Sequence, residues 1–223
     1  MKIAIIGAGG YVFPLRLIGD ILSFPALRDC TLSLMDVDLA RAERTADAAR
    51  HLMAHYGFPT RIETTTDRRA SLDSAGYVIV TFQVGGLELY RLDVEIPRKY
   101  GLDQTVGDTL GPGGVMRFLR SAPALAEIAE DMHALCPDAL LIWHATAAVC
   151  RTNINVQELA VRAMLDGDRE HIYHAIALDP LTGALLTLAQ IRQMTDELLQ
   201  AEAQWLPDFA RVTATRPATM LVR

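Results

Sequence analysis

The sequence predicts an α/β fold: a Rossmann-like, doubly wound parallel sheet with a small helical C-terminal extension. Two observations lead to this prediction. Short apolar segments typical of strands alternate with helical segments over the first 143 of 223 residues, which is the pattern of successive βαβ units and of a parallel sheet covered on both faces. From about residue 155 onward the pattern is purely helical.

The strands and helices follow from apolar periodicity and from breaker residues. Five strands are predicted, at Lys2–Ile6, Thr31–Met35, Arg61–Thr65, Tyr77–Phe82 and Ala139–Trp143. Besides the helix that follows the first strand, helices are predicted at Asp38–His55, Asp67–Ser74, Val115–Leu135, Val156–Leu165, Asp168–Leu178 and Leu188–Trp205. The segment Asp179–Gly183, with Pro180, predicts a turn before the last helix. The domain boundaries expected from this pattern are 1–152 for the Rossmann-like domain, 153–207 for the helical part and 208–223 for a tail.

A glycine-rich turn, Gly7-Ala8-Gly9-Gly10, follows the first strand, and Asp36 ends the second. In a dinucleotide site the first glycine permits the tight turn, and the next lets the backbone approach a pyrophosphate. The carboxylate then accepts a hydrogen bond from a ribose hydroxyl. Val12 stands where the third glycine of G-x-G-x-x-G is expected, and Asp36 comes later than the usual spacing of about 20 residues. The alternative is a strand–turn–helix that uses its glycines for geometry alone.

An aspartate at the ribose position favours NAD over NADP, because a carboxylate repels a 2′-phosphate. Arg41 and Arg44 follow shortly after Asp36 and reduce that preference.

Composition excludes several classes of protein. A net charge of −6 argues against non-specific nucleic-acid binding. No apolar run approaches the ~20 residues needed to cross a bilayer, and no signal peptide is evident, so a cytoplasmic protein without membrane partners is expected. Three cysteines, Cys30, Cys136 and Cys150, form no C-x-x-C pair, so neither a disulfide framework nor a thiolate zinc site is indicated.

A segment of about 30 residues between Gln83 and Gly114, rich in glycine and charge, predicts a long loop at the carboxyl end of the fourth strand. Ligands bind at that end of the strands in open α/β sheets, and loops of this length are usually functional or disordered. The alternative is an irregular connection packed against a neighbouring subunit.

Several motifs in this order resemble glycoside hydrolase family 4, most closely its α-glucosidase and α-galactosidase branch. They are Gly7-Ala8-Gly9, Gln83-Val84-Gly85-Gly86, Glu95-Ile96-Pro97, Gln104-Thr105-Val106-Gly107-Asp108-Thr109 and Gly111-Pro112-Gly113-Gly114 through Arg117 and Arg120. The resemblance covers about residues 1 to 142 and resumes in the C-terminal helical part at Val156–Leu159, Gly167–Arg169 and Leu178–Thr182, up to Leu206-Pro207. The chain therefore resembles an internally truncated member of about half the family's usual length.

The resemblance implies an unusual glycoside chemistry. Bound NAD oxidises the sugar at C3, a divalent metal (commonly manganese) stabilises the enediolate, a base removes the C2 proton, and the aglycone is eliminated. Carried over to this sequence, the NAD site is lined by Gly7, Gly9, Gly10, Asp36, Gln83 and Gly85. Asp108 faces the sugar hydroxyls, with a turn carboxylate bonded to its own backbone as the alternative. Arg117 and Arg120 are candidates for binding an acidic group, with solvated helix charges as the alternative.

The sequence also departs from the family pattern. Trp143-His144-Ala145-Thr146-Ala147-Ala148 replaces the family's Asn-Tyr-x-Asn-Pro-Met element. Val149-Cys150-Arg151-Thr152 stands where the family has Gly-Leu-Cys-His-Ser, and an arginine cannot ligate a metal because it stays protonated. The family's central substrate half, with its catalytic base and second metal-binding histidine, is not found.

Few side chains remain to rebuild a catalytic or metal site. His144 is an acid–base or ligand candidate, with a satisfied or exposed histidine as the alternative. Cys150 is a metal-ligand candidate, with a buried thiol as the alternative. His171 and His174 have an i, i+3 spacing that could chelate a metal, but they lie in the C-terminal part, where a structural role is expected. His51 and His55 share one face of an ordinary amphipathic helix. Leu188, Ile191, Thr195, Leu198, Leu199 and Trp205 indicate core packing of the last helix.

Three functions remain open. The first is an NAD- and metal-dependent glycosidase impaired by loss of its metal and substrate half. The second is an NAD-binding pseudoenzyme or remnant without hydrolysis. The third is an NAD-dependent dehydrogenase of a small hydroxy compound, with His144 as its acid–base group. The expected partners are a glycoside or other small-molecule substrate and further copies of the chain, since a lost substrate half exposes apolar surface.

Overall fold

The computed structural model describes residues 1–103, 111–143, 169–178 and 180–204, and it confirms the predicted fold class. Five parallel strands form one sheet in the order β3-β2-β1-β4-β5. They are β1 Lys2–Ile6, β2 Thr31–Met35, β3 Arg61–Thr65, β4 Tyr77–Val80 and β5 Leu140–Trp143. The chain builds outward from β1 in one direction and then returns to add β4 and β5 on the other side. The strand order therefore reverses between β1 and β4, which is where ligands bind in such sheets.

Eight α-helices lie in the described ranges. They are α1 Phe13–Ser23, α2 Leu39–Tyr56, α3 Arg68–Leu72, α4 Gly86–Lys99, α5 Gly111–Leu135, α6 Arg169–Ala177, α7 Pro180–Leu185 and α8 Leu188–Ala201. Most of the predicted elements agree with these to within a few residues, a usual margin at element ends. The helix predicted at Val156–Leu165 lies outside the described residues.

Each face of the sheet has its own hydrophobic core, because successive side chains of a strand point to opposite faces. On one face, β1 and β2 residues such as Ile5 and Leu34 pack with Ile18 of α1 and Ala46 of α2. On the other face, residues of β1 and β4 pack with Leu72, with the second half of α5 at Leu125, Ile128 and Met132, and with Cys136 just after it. Helices therefore cover both faces, as a doubly wound fold requires.

Helix α2 shows how local sequence sets an element. Asp38 caps its N-terminus, where Oδ1 accepts hydrogen bonds from the backbone N–H groups of Ala40 (3.0 Å) and Arg41 (3.4 Å). Gly57 ends the helix in the left-handed conformation at φ 66°, which glycine adopts without a steric penalty. The buried face consists of small or flexible residues, namely Ala42, Thr45, Ala46, Ala49 and Met53.

The prediction of a long loop between Gln83 and Gly114 was wrong in two places. Helix α4 occupies residues 86–99, and α5 begins at residue 111. Gly85 caps α4 at φ 85°, and the buried positions Leu89, Asp93 and Ile96 follow the spacing i, i+4, i+7 of one helix face. The sequence does not predict this helix, because its apolar stripe is interrupted by Asp93. The flanking glycines and Pro97 are also residues typical of loops.

Two smaller predictions for the C-terminal part also fail. Residues 180–183 belong to helix α7 rather than to a turn. A Cβ on Gly183 would lie 2.6 Å from the carbonyl oxygen of Ala177, so a close approach of backbone to backbone explains this glycine. In α8, Ile191, Thr195, Leu198 and Leu199 are buried as expected. Leu188 is 47% exposed and is therefore not a core residue.

By its contacts the chain forms two compact units. One consists of Met1–Gln83 with Leu125–Ala145 and holds the sheet, and the other consists of Val84–Ala124 with Thr146–Arg223. Within the second unit, α8 packs against α4 and α6, and α6 packs against α7. Among the helices of the described ranges, none has the length and apolar character needed to span a bilayer.

The cap of α4 gives a testable pair of variants. A Cβ on Gly85 would lie 2.1 Å from Cδ1 of Leu89, whereas a Cβ on Gly86 meets nothing within 4 Å. Both residues have positive φ. We expect Gly86→Ala to cost about 1–2 kcal/mol from backbone strain alone. Gly85→Ala adds the displacement of a buried leucine, for a total of about 3 kcal/mol.

Urea unfolding of both variants and the parent chain measures these differences from the transition midpoints at constant slope. Equal losses in the two variants would show that Leu89 does not fill the space beside Gly85, and hence that α4 begins differently.

Candidate functional site

The glycine-rich turn lies between the carboxyl ends of β1 and β2. The backbone N–H groups of Gly7 and Ala8 both donate to the carbonyl oxygen of Met35 at 2.9 Å, and Gly10 N–H donates to Gly7 O at 3.3 Å. Gly7 has φ 89°, and a Cβ there would lie 2.8 Å from the backbone nitrogen of Phe82. Both its conformation and its surroundings therefore require glycine.

Asp36 is the side chain that closes this turn. It is only 7% exposed. Its Oδ2 accepts the backbone N–H of Gly9 at 2.8 Å, and its Oδ1 accepts that of Asp38 at 3.1 Å. A Cβ on Gly9 would lie 2.7 Å from Oδ2 of Asp36 and 2.5 Å from Cβ of Arg41. Gly9 therefore lets the carboxylate approach the turn closely.

Helix α2 holds the turn from the other side through its Arg44 and Thr45 side chains. The buried hydroxyl of Thr45 donates to Ala8 O at 2.8 Å, and Nη2 of Arg44 makes a longer contact of 3.5 Å to Gly9 O. The guanidinium of Arg44 also lies 4.7 Å from the centroid of the Tyr11 ring. Thr45 and Tyr11 were missed at the sequence level. The spacing of residues 41, 44 and 45 on one face of α2 is the signal that could have found Thr45.

The end of β4 completes the neighbourhood of the turn. The hydroxyl of Thr81 donates to Gly7 O at 3.0 Å, and Gln83 follows two residues later. Among the predicted cofactor residues, the structure thus brings together Gly7, Gly9, Gly10 and Asp36. Gly85 belongs to the second unit, where it caps α4.

The predicted catalytic, substrate and metal candidates divide into two groups. Asp108, His144 and Cys150 lie outside the described residues. The paired histidines of α2 and α6 are described, and among the described residues no group of three or more His, Cys, Asp or Glu side chains could hold a metal. Burial raises the pKa of the Cys30 and Cys136 thiols, which favours the neutral form over the thiolate that binds metals.

A second constellation of charged side chains lies inside the second unit. Arg120 is 2% exposed, and Asp93 and Glu202 are fully buried. Nη1 and Nη2 of Arg120 donate to Oδ1 and Oδ2 of Asp93 at 3.0 and 2.6 Å, and Nη1 also donates to Oε2 of Glu202. Arg120 is therefore not a solvated helix charge, and the acidic groups that it binds come from α4 and from the residue that follows α8.

The two carboxyl groups compete for one guanidinium. Burial raises the pKa of Glu202 to about 8, and the neighbouring Asp93 carboxylate adds to that increase. Burial also raises the pKa of Asp93, although Arg120 opposes the increase. Within the described residues, Nε of Arg120 and Oε1 of Glu202 have no hydrogen-bond partner. The cluster is therefore expected to retain a proton near neutral pH.

Comparison with known proteins gives a consistent result. A protein-family model described as "Family 4 glycosyl hydrolase" matches residues 2–164. An α-galactosidase of Bacillus subtilis is 42% identical over 139 residues, which cover 62% of this chain and 32% of that protein. An α-galactosidase of Rhizobium meliloti is 39% identical over 152 residues, which cover 68% of this chain and 31% of that protein. The chain thus spans about a third of the length of the curated relatives that it matches.

Solved structures share the fold. The 6-phospho-β-glucosidase of Thermotoga maritima, solved with manganese, NAD⁺ and glucose-6-phosphate, aligns with a TM-score of 0.59 at 23% identity, over 73% of this chain and 37% of that one. A 6-phospho-α-glucosidase from gut microorganisms, solved with NAD and Mn²⁺, gives a TM-score of 0.57 at 20% identity, over 72% and 35% of the two chains.

The buried cluster predicts an unusual dependence of stability on pH. The pKa of Glu202 is raised from its ordinary value of 4.5 to about 8, so the folded chain keeps a proton that the unfolded chain releases. The contribution of Glu202 to the free energy of unfolding is therefore greatest below pH 4.5. That contribution is lost as the pH rises toward 8. The slope approaches about 1.4 kcal/mol per pH unit.

We expect Glu202→Gln to flatten this slope, because the amide carries no titrating proton. Urea unfolding between pH 5 and 9 measures it. Glu197→Gln is the matched control in α8, since the hydrogen bond from Lys99 lowers the pKa of the Glu197 carboxyl. A parent slope unaffected by Glu202→Gln would contradict the assignment of the buried proton.

Proposed function

This chain belongs to family 4 of the glycosyl hydrolases, and we propose that it carries the NAD-binding half of a glycosidase that acts by oxidation, elimination and re-reduction of the sugar. The observation that supports the proposal most directly is the buried Asp36 carboxylate at the end of β2, bonded to the glycine-rich turn at the point where the strand order reverses. This is the arrangement in which Rossmann-like sheets bind dinucleotides.

The residues of this turn suit a dinucleotide. Gly7, Gly9 and Gly10 keep side chains away from the turn, and Asp36 supplies a carboxylate beside it for a ribose hydroxyl. Gln83 at the end of β4 extends the site on the other side of β1. The bound dinucleotide supplies a hydride acceptor for a sugar carbon. The chain's own residues bind and orient it.

We propose an α-galactoside or a related α-glucoside as the substrate class. Relatives that support this choice are the two α-galactosidases and an α-glucosidase of Erwinia rhapontici, which is 34% identical over 154 residues. Asp108 is proposed to face the sugar hydroxyls.

The described residues fit a divalent metal less well than they fit a dinucleotide. The described residues form no cluster of three ligating side chains, and Arg151 occupies the position of the family's histidine next to Cys150. The donor set of the described residues does not fit a divalent metal, so no step is derived through one. This observation favours a second candidate function, an NAD-binding protein that does not hydrolyse glycosides.

We further propose domain boundaries at residues 152 and 207, residence in the cytoplasm and assembly into a homo-oligomer. Assembly is supported by the exposed apolar side chains of the edge strand β5, since Leu140 is 58% and Ile142 is 39% exposed. Apolar side chains exposed on an edge strand favour association with a second chain.

Thermal unfolding in the presence of NAD tests the dinucleotide site. We expect NAD at 100 times its dissociation constant to stabilise the chain by about 2.7 kcal/mol, which is easily visible in the melting temperature. Asp36→Asn lowers the melting temperature without ligand, because one amide N–H then faces a backbone N–H. The rise in melting temperature that NAD causes is therefore compared between the parent and the variant. We expect a smaller rise for Asp36→Asn, because the variant lacks the carboxylate for the ribose hydroxyl.

Asp20→Asn, on the exposed side of α1, is the matched control and should keep the whole increment. A parent chain that shows no increment with NAD would exclude the dinucleotide site.

A turnover assay separates the candidate activities. A glycosidase releases the aglycone from an aryl α-galactoside in the presence of NAD and Mn²⁺, without net accumulation of NADH, because the hydride returns to the sugar. A dehydrogenase that uses His144 accumulates NADH instead. We expect aglycone release slower than that of a full-length relative assayed alongside, and NAD binding without release of either product would establish the non-hydrolytic function.

A further inference from the structure

Arg44 is an exposed charge whose guanidinium contacts the glycine-rich turn and which the proposed function leaves without a role. It lies in α2, one turn before the middle of the helix, and its Nη2 is 3.5 Å from the carbonyl oxygen of Gly9. The guanidinium head therefore lies beside the segment of backbone that a dinucleotide approaches. Its side chain is exposed, so its position is not imposed by core packing.

The charge of Arg44 is not neutralised within the described residues. The two acidic side chains that flank it on α2, Glu43 and Asp47, both pair with Arg50, at 3.3 and 2.8 Å. Asp36 and Asp38 accept backbone N–H groups, and within the described residues neither forms an ion pair with Arg44. In the described part of the chain, Arg44 thus keeps a positive charge that no carboxylate within 4 Å balances.

Tyr11 holds this charge in position. Its ring centroid is 4.7 Å from the guanidinium carbon of Arg44, a distance at which a cation is attracted to the face of an aromatic ring. The ring itself is 80% exposed, so the contact fixes the arginine at the surface of the turn rather than burying it. A guanidinium held over a ring face still has N–H groups free to donate, and their fork matches phosphate oxygens.

We propose that Arg44, positioned by Tyr11, binds a phosphate group of the dinucleotide. The proposal rests on the proposed function, because it names a further residue of the same site. The phosphate belongs either to the pyrophosphate bridge or to the 2′ position of NADP. Both groups are negatively charged and have oxygen atoms that accept hydrogen bonds. A guanidinium can bind either of them through paired hydrogen bonds.

Isothermal titration of the full chain with NAD, with NADP and with adenosine tests the proposal. We expect Arg44→Gln to weaken a phosphate-bearing ligand by roughly tenfold or more, as a hydrogen bond to a charged group predicts. Adenosine, which has no phosphate, should bind equally well to the parent and the variant. Weaker binding of NAD identifies the pyrophosphate, and weaker binding of NADP alone identifies the 2′-phosphate.

Arg61→Gln is the control, because it removes an exposed arginine at the amino end of β3, away from the carboxyl ends of the strands where the turn lies. If both variants lose affinity equally, general electrostatic attraction explains the loss and the proposal fails. If the parent binds NAD and Arg44→Gln binds both dinucleotides as tightly, this proposal fails while the proposed function stands. A parent chain that binds no dinucleotide removes the proposed function itself.

The role of Tyr11 has its own test. Tyr11→Phe keeps the ring and should retain the parent affinity for NAD, whereas Tyr11→Ala removes it and should lose part of that affinity. Equal affinity of the alanine variant and the parent would show that Arg44 needs no positioning by the ring. Neither substitution disturbs the core, because Tyr11 is exposed.

Discussion

The hydrogen bond between the Asp36 carboxylate and the Gly9 N–H fixes the geometry of the glycine-rich turn, where we propose the dinucleotide site. It is buried and charge-assisted, so it is stronger than a bond between neutral groups. It joins the end of β2 to the turn after β1, and Thr45 holds the same turn from α2. A turn held at several points without a ligand has little conformational freedom left to lose on binding, and pre-organised sites bind more tightly for that reason.

The first unit was predictable because its signals are local. Each of the first three strands is an apolar or alternating run bounded by turn residues, and Asp38 and Gly57 mark the ends of α2 in the sequence itself. Helix α4 was not predictable in the same way. Its apolar stripe contains Asp93, whose burial makes sense only when Arg120, 27 residues later, is brought beside it. A pairing between charges that are far apart in the sequence cannot be deduced from the local pattern of apolar residues.

The arginines show the same limit at the level of function. Arg120 follows a glycine-rich segment and was therefore a candidate for binding an acidic ligand. The structure instead buries it between two carboxyl groups of its own unit. Arg44 lies in an ordinary amphipathic helix, yet it lies beside the glycine turn with its charge unbalanced in the described residues. Whether an arginine is available to a ligand depends on its exposure and on whether the nearby carboxylates already pair with it or with another cation. Neither property can be deduced from the sequence alone. Burying an ion cluster such as that of Arg120 costs free energy of desolvation, which the attraction between its charges offsets in part.

The two cores of the sheet have different positions along the chain, and this determines the order in which they can form during synthesis. The core beside α1 and α2 uses residues between Ile3 and Ile79 only. The opposite core needs Leu125 to Cys136, which leave the ribosome about 3–11 s later at common elongation rates of about 5–20 residues per second. During that interval one face of a nascent, half-covered sheet is exposed to water, and it is the face that a chaperone would protect.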